Sequence, residues 1–324
     1  DVAATTRKTP FCVLVLPGPM KWQYHGALEV FRVTVQKTVE RWIDARASHL
    51  APRTLEGYRD IERRYILPAI GDRKLSKLRT KHVNTLLEGL SDRPRTAQLT
   101  RLVLRAALAA AVEAGDLESN PADKAKVVEY EADDPIWWEP FEVKQFIASA
   151  KWRGDPLLHV WQLALCTGLR RGELIGLRWS DCRADGLHIC NQRVRVKGGL
   201  IDQAPKTKAS RRVIPMTPDL AGLIDQMRRE RSQRRRISPY VVDLAPETLR
   251  VALKTACTAS GVRDIKLHGL RHTAASLAVR RGVPLRVVQD LLGHSTYAIT
   301  AKYYAHVAAD QVAAAVETLT RDVL

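Results

Sequence analysis

Cysteine is scarce in this chain and unpatterned. The five present (Cys12, Cys166, Cys182, Cys190, Cys257) are odd in number and contain no C-x-x-C pair. A disulfide framework and a zinc ribbon are therefore not expected, and a reducing cytoplasm fits best. Long apolar runs are also missing. The longest early one, FCVLVLP at 11–17, is far too short to span a bilayer, and no convincing cleavage pattern follows Arg7 and Lys8. There is no Gly-rich GK[ST] loop and no carboxylate cluster of metal-binding type. Acidic charge is in short supply, with 35 Asp and Glu against 52 Lys and Arg.

The resulting formal charge of +17 and the pI near 9.9 point to a polyanion. Phosphate neutralisation with counterion release rewards such an excess, so nucleic acid is the expected partner. The basic residues are spread through every segment, which argues against a surface kept basic for solubility alone. At 324 residues with 45% hydrophobic content, the chain is long enough for two compact domains.

The chain begins at Asp1 instead of Met, and a missing or altered natural N-terminus is expected. Residues 1–34 read as strand-like stretches broken by Pro17, Gly18, Pro19 and Gly26, an N-terminal extension without an assigned role. Residues 35–122 read as a helical bundle. Val35, Val39, Trp42, Ile43 and Leu50 share one face of a first helix, and Leu55, Tyr58, Ile61 and Tyr65 one face of a second opened by Pro52. A short helix through His82 to Leu90 and an Ala-rich one over 96–114 follow. Arg53, Arg59, Arg63, Arg64, Arg95, Arg101 and Arg105 are expected to meet a DNA backbone. Asn120-Pro121 stops the bundle, and 123–138, with its acidic and aromatic EYEADDPIWWEP run, reads as a linker.

Residues 139–324 read as a second, mainly helical domain containing a small antiparallel sheet, from LHIC, RVRV and the strand that ends in RRVIP. Arg170 follows Thr167-Gly168 where the chain turns, and Glu173 lies one helical turn on, able to orient it. His268 and Arg271 share a helical face. Two guanidinium forks and an imidazole suit a pentavalent phosphorane, whose non-bridging oxygens gather charge. Lys206 sits between two expected strands, at what reads as a hairpin tip, where an ammonium can protonate a leaving oxygen. His294 follows the Gly293 that ends a helix begun near Pro284. Tyr303 and Tyr304 follow, and a phenol can attack phosphorus when arginines and an imidazole offset its high pKa. Together these groups read as phosphoryl transfer without metal or ATP.

In this order, T-G-L-R-R-G-E-L (167–174), P-K-T-K-A-S-R-R-V-I-P (205–215), H-G-L-R-H-T (268–273), L-L-G-H-S (291–295) and Y-A-H-V (304–307) resemble the tyrosine recombinases, or phage-type integrases. The resemblance implies a helical core-site-binding domain ahead of a catalytic domain. It makes Arg170 and Arg271 the phosphate-gripping arginines and Glu173 the brace of the first. Lys206, in preference to Lys208, becomes the general acid on the 5′ oxygen. His268 becomes the proton acceptor, His294 a support for the transition state, and Tyr304, in preference to Tyr303, the nucleophile. It further implies double-stranded attachment or core sites as substrate, a 3′-phosphotyrosyl intermediate, no cofactor, a tetramer on DNA, and no membrane. A host DNA-bending protein and a directionality factor belong to the same picture, as does a bacterial, nucleoid-associated location. The tail AADQVAAAVETLTRDVL docks either on a neighbouring protomer or on its own domain.

The alternatives are an Xer-like chromosome-dimer resolvase and a non-catalytic DNA-binding regulator. Residues 1–34 favour the integrase over a compact resolvase. The helix–turn–helix look of 274–293 fits a regulator, but a regulator has no use for Arg170, Lys206, Arg271 and Tyr304 together.

Overall fold

The computed structural model describes residues 33–126, 134–205, 210–233 and 238–294. They fall into two compact units, the first taking residues up to 50 and 57–130, the second 51–56 and those from 131 on.

In the first unit, helix α1 (Val35–Arg46) is capped by the Thr34 hydroxyl, which accepts from the Lys37 N–H, and buries Val35, Val39, Trp42 and Ile43. These are four of the five apolar positions that the helical spacing put on one face; the fifth, Leu50, lies beyond the helix end and is half-buried. Helix α2 (Pro52–Ile61) is followed by a π-helical stretch over Glu62–Gly71, so the single helix expected through Ile70 changes its winding. Pro68 lies inside that stretch and has no N–H to donate. Ile66 and Ile70 of that stretch are buried in the core. Helices α3 (Thr80–Glu88) and α4 (Pro94–Glu113) complete the unit, α4 starting on a proline whose missing N–H is an orphan anyway.

The arginines expected on a DNA backbone are mostly engaged inside the protein. Arg59 pairs with Asp44 and Glu62, Arg63 and Arg64 with Asp60, and Arg105 with Asp123. Arg101 donates to the carbonyls of Ala122 and Asp123, at 3.3 and 3.0 Å. Exposed pairs of this kind contribute about 0–1 kcal/mol each, so phosphates can outcompete them.

The second unit is built on α5 (Pro140–Trp152), α6 (Leu158–Thr167), α7 (Arg171–Gly176), α8 (Pro218–Ser232), α9 (Pro246–Ser260), α10 (Leu267–Arg280) and α11 (Leu285–Leu292). Its core centres on Trp138, Phe146 and Trp161, all fully buried, with ring centroids 4.5 and 6.4 Å apart along the row. Burial of an aromatic of the size of Phe146 contributes up to about 3 kcal/mol. Trp138 closes the segment that reads as a linker, yet its backbone N–H donates to Thr273 Oγ1 at 3.0 Å and its indole N–H to the Arg263 carbonyl at 2.8 Å. An indole with both ends satisfied belongs to this core.

Among the described residues, four strands form two separate antiparallel pairs instead of the one sheet expected. β1 (Gly186–Ile189) pairs with β4 (Arg212–Pro215), and β2 (Gln192–Val196) pairs with β3 (Gly199–Gln203) through a two-residue turn at Lys197-Gly198. The connection from β3 to β4 therefore crosses between sheets and does not close a hairpin. Lys206 and Lys208 belong to that connection and lie outside the described residues, as do Tyr303 and Tyr304.

No helix among the described residues is long and apolar enough to cross a membrane.

Candidate active site

The site starts where α6 ends. Gly168 takes the left-handed conformation (φ 60°) as the C-cap of α6 and donates its N–H to the Ala164 carbonyl. A Cβ at that position would come within 2.7 Å of Leu292 Cδ2, so glycine is needed for fold and for approach alike. Two residues later Arg170 caps α7, its backbone N–H held by Glu173 Oε2 at 2.9 Å and its Nη1 by Glu173 Oε1 at 2.7 Å. The one-turn spacing seen in the sequence is thus a capping interaction and an ion pair at once.

Helix α10 supplies His268 and Arg271 from one face, as their spacing predicts. Arg271 is 1% exposed, an expensive place for a cation unless acceptors surround it. Its Nη1 donates to the Gly168 carbonyl at 2.8 Å and its Nη2 to the Leu292 carbonyl at 2.7 Å.

Helix α11 closes the arrangement. Its apolar side, Val288 and Leu292, packs on Ala275 and Val279 of α10 across a turn made by Gly282. Its last carbonyls have no intrahelical donor. Arg212 Nε takes Leu291 at 2.6 Å, Arg271 takes Leu292, and Arg170 Nη2 takes Gly293 at 2.7 Å. Three guanidiniums collar the negative end of one helix dipole, a favourable match. His294 leaves the collar with its backbone tied to Gln289 on both sides: its N–H donates to the Gln289 carbonyl (3.2 Å) and its carbonyl accepts from Gln289 Nε2 (3.1 Å).

The three imidazoles of this region are all held well below the ordinary histidine value. His294 is pushed down to about 3, first by burial and then by the charges of Arg271 and Arg170. His268 falls to about 4 through desolvation by the protein around it and through Arg271, Arg170 and Arg171, although the residue as a whole is exposed. His272, edge-on to His268 at 4.9 Å, also falls to about 4, mainly through burial. At neutral pH all three rings are unprotonated and able to accept. Burial alone would raise the Glu173 carboxyl, but Arg212 and Arg170 outweigh it and hold it below the usual carboxylate range.

Five of the seven site residues chosen from sequence, Arg170, Glu173, His268, Arg271 and His294, thus converge on one region of the second unit. Lys206 and Tyr304 fall outside the described residues. Ser210, four positions after Lys206, lies 3.5 Å from Arg170 Nη1 through its hydroxyl. A groove beside the site is lined by Arg170, Arg171, Arg193, Arg195, Arg250 and Lys266. Among the described residues, no three His, Cys, Asp or Glu side chains gather in a way that could hold a metal ion.

Sequence reasoning missed Arg212 and Gln289. A signal for Arg212 existed, because alternation along Arg211-Arg212-Val213-Ile214 puts Arg212 on the same strand face as buried Ile214. A cation on the inward face of a strand needs a partner.

Residues 137–311 match the model of the phage integrase family, and residues 34–91 that of the phage integrase N-terminal SAM-like domain. The chain belongs to the phage integrase family. This integrase-family chain is 34% identical over 244 residues to a tyrosine recombinase XerC-like protein of Caldanaerobacter subterraneus subsp. tengcongensis, covering 64% of this chain and 61% of that protein. It is 27% identical over 292 residues to the integrase of Mycobacterium phage D29, covering 84% of this chain and 74% of that one. It thus spans about three fifths of the XerC-like relative's length. Among solved structures, the Tn1549 transposon integrase in complex with transposon right end DNA superposes with a TM-score of 0.75 at 19% identity, covering 89% of this chain and 100% of that one. A lambda integrase tetramer bound to a Holliday junction superposes at 0.67 with 21% identity, covering 86% and 81%. At those identities the likeness speaks for the fold, mainly helical with small antiparallel sheets.

Proposed function

We propose that this protein is a site-specific DNA recombinase that cleaves and rejoins DNA through a 3′-phosphotyrosine, integrating or excising a phage or mobile element. One observation carries the reading. Arg170 and Arg271, from segments far apart in the chain, both end on the carbonyls that close α11, with two neutral imidazoles beside them. Guanidinium forks next to proton-accepting rings suit a phosphate that gains charge as it is attacked.

In this mechanism Arg170 and Arg271 hold the non-bridging oxygens of the scissile phosphate. The Tyr304 oxygen bonds to phosphorus while the bond from phosphorus to the 5′ oxygen breaks. The phenolic proton passes to His268, and Lys206 protonates the departing 5′ oxygen. His294 donates to the phosphate in the transition state, its low affinity for protons raised by the phosphodiester anion and further as charge builds on the phosphorane oxygens. Rejoining is the reverse with a partner strand's 5′ hydroxyl, so the bond energy is retained and no metal or nucleotide cofactor is required. Exchange between two sites uses four protomers. The groove lined by Arg171, Arg195, Arg250 and Lys266 carries the DNA backbone to the site.

Recognition of core sites by the first unit follows from the same proposal. The division proposed is an extension over 1–34, a core-site-binding domain over 35–122, a linker over 123–138 and a catalytic domain over 139–324. A chromosome-dimer resolvase is the second reading, favoured by the 34% identity to a XerC-like protein. Integration of a marked circular substrate into a linear one, with and without an excess of a resolvase-type dimer site, separates the two. Covalent trapping on a nicked suicide duplex tests both against a binding-only protein, which would leave no adduct.

A further inference from the structure

The guanidinium of Arg212 is spent entirely inside the protein. Its side chain is 8% exposed and that of its partner Glu173 is 1% exposed. Nε donates to the Leu291 carbonyl at 2.6 Å, Nη1 to the Ser210 carbonyl at 3.2 Å and Glu173 Oε1 at 3.3 Å, and Nη2 to Glu173 Oε2 at 2.9 Å. Glu173 passes the connection on, since the same two oxygens hold the Arg170 side chain and backbone. One planar fork therefore joins four things: the end of α11 that carries His294, the strand that follows Lys206, the start of α7, and Arg170.

We propose that Arg212 is a positioning residue for phosphate chemistry, acting through Glu173 to fix the direction of the Arg170 guanidinium and its register against α11. This rests on the proposed recombinase function. With Nε, Nη1 and Nη2 all donating to protein acceptors, Arg212 is committed to the protein and not to DNA. Glu173 holds Nη1 of Arg170 while the Gly293 carbonyl takes Nη2, and Arg170 is 30% exposed, so without Arg212 the Glu173 carboxylate can rotate and shift the guanidinium against that carbonyl. Lysine cannot replace the fork, because a single ammonium does not span in one plane the Glu173 carboxylate on α7, the Leu291 carbonyl at the end of α11 and the Ser210 carbonyl ahead of β4. A mis-set guanidinium costs little in binding and much in rate: displacement of a catalytic group by about 1 Å lowers turnover by up to roughly a hundredfold.

The test compares wild-type protein with Arg212→Lys and Arg212→Gln in the full chain. The probe is a suicide duplex recovered from a randomised library by covalent trapping on the wild type. Three quantities are read: adduct formation rate at saturating DNA, DNA affinity, and the rate on the same duplex with a methylphosphonate at the scissile position. That substitution removes one charged oxygen and with it much of the need for an aligned Arg170. The expected result is a loss of roughly tenfold to a hundredfold in rate, affinity within about twofold, and a much smaller defect on the methylphosphonate. A rate near that of the wild type overturns the proposal. So does an equal defect on both substrates, a parallel fall in affinity, or a variant that no longer folds, each of which makes Arg212 a structural residue only. If the wild type forms no adduct with any library member, the recombinase reading itself fails, a result separable from all of these.

Discussion

Replacing Glu173 with glutamine removes one negative charge from a place where it faces two arginines and almost no water. The shape is kept, so the change is one of charge and of hydrogen-bond sense. Arg212, 8% exposed, is left as a buried cation without a carboxylate, its acceptors reduced to the Leu291 and Ser210 carbonyls and one amide oxygen. Breaking one side of a buried pair costs about 3–5 kcal/mol. Because those carbonyls and one amide oxygen still accept, about 3 kcal/mol is the expected loss here. For a unit of this size that corresponds to a fall of roughly 6–12 °C in the unfolding temperature. The assay is denaturant unfolding followed by the fluorescence of buried Trp138 and Trp161, for wild type, Glu173→Gln, Arg212→Met and the double variant. The double variant removes the orphaned cation, so it should be more stable than the sum of the singles by about 2–3 kcal/mol. The pH dependence is signed as well. The Glu173 carboxyl is held down in the fold, so its contribution is complete above the unfolded value near ~4.3 and is lost as pH falls through the folded one. The wild type and Glu173→Gln should converge in acid. Additivity of the two substitutions within about 0.5 kcal/mol would refute the buried-pair reasoning.

Other consequences follow from the same residues. His268, His272 and His294 are held neutral in the fold, so the unfolded chain takes up protons first and stability should decline as pH drops from about 6.5 towards 4; thermal melts of wild type and His294→Asn should differ in that slope, and parallel curves would count against it. Arg250→Ala should weaken binding to all duplexes alike and reduce the slope of log affinity against log salt by about 0.9, and a base-specific effect would contradict a backbone contact. Lys206→Ala should be rescued by DNA whose 5′ leaving group is a thiol, which needs little protonation, and absence of rescue would move the acid elsewhere. Cleavage should proceed in EDTA, and a strict requirement for magnesium would contradict the mechanism.

How much of this was legible beforehand depends on the range of the interactions. Helix faces were readable because apolar spacing is local: Val35, Val39, Trp42 and Ile43 are buried as their periodicity implies. Arg170 with Glu173, and His268 with Arg271, were readable because each pair lies within one helical turn. The π-helical stretch was not, since the winding depends on how Pro68 and the packing of Ile66 and Ile70 share the backbone bonds. The strands were found, but their pairing was not, because β1 and β4 are brought together across an intervening β2–β3 hairpin. The role of Arg212 is not readable from its motif, as its partners are a glutamate and a helix end remote in sequence. The bundle arginines were assigned outward on global charge alone, while local carboxylates take several of them.

The central claim is that Tyr304 makes the covalent bond to DNA, and trapping with peptide mapping tests it most directly. Wild-type protein, Tyr304→Phe and Tyr303→Phe are each incubated with the nicked suicide duplex, and the adduct is digested and read by mass spectrometry. The account predicts a nucleotide mass on Tyr304 in the wild type and in Tyr303→Phe, and DNA binding without adduct in Tyr304→Phe. An adduct that survives Tyr304→Phe, or that maps to Tyr303, would contradict it.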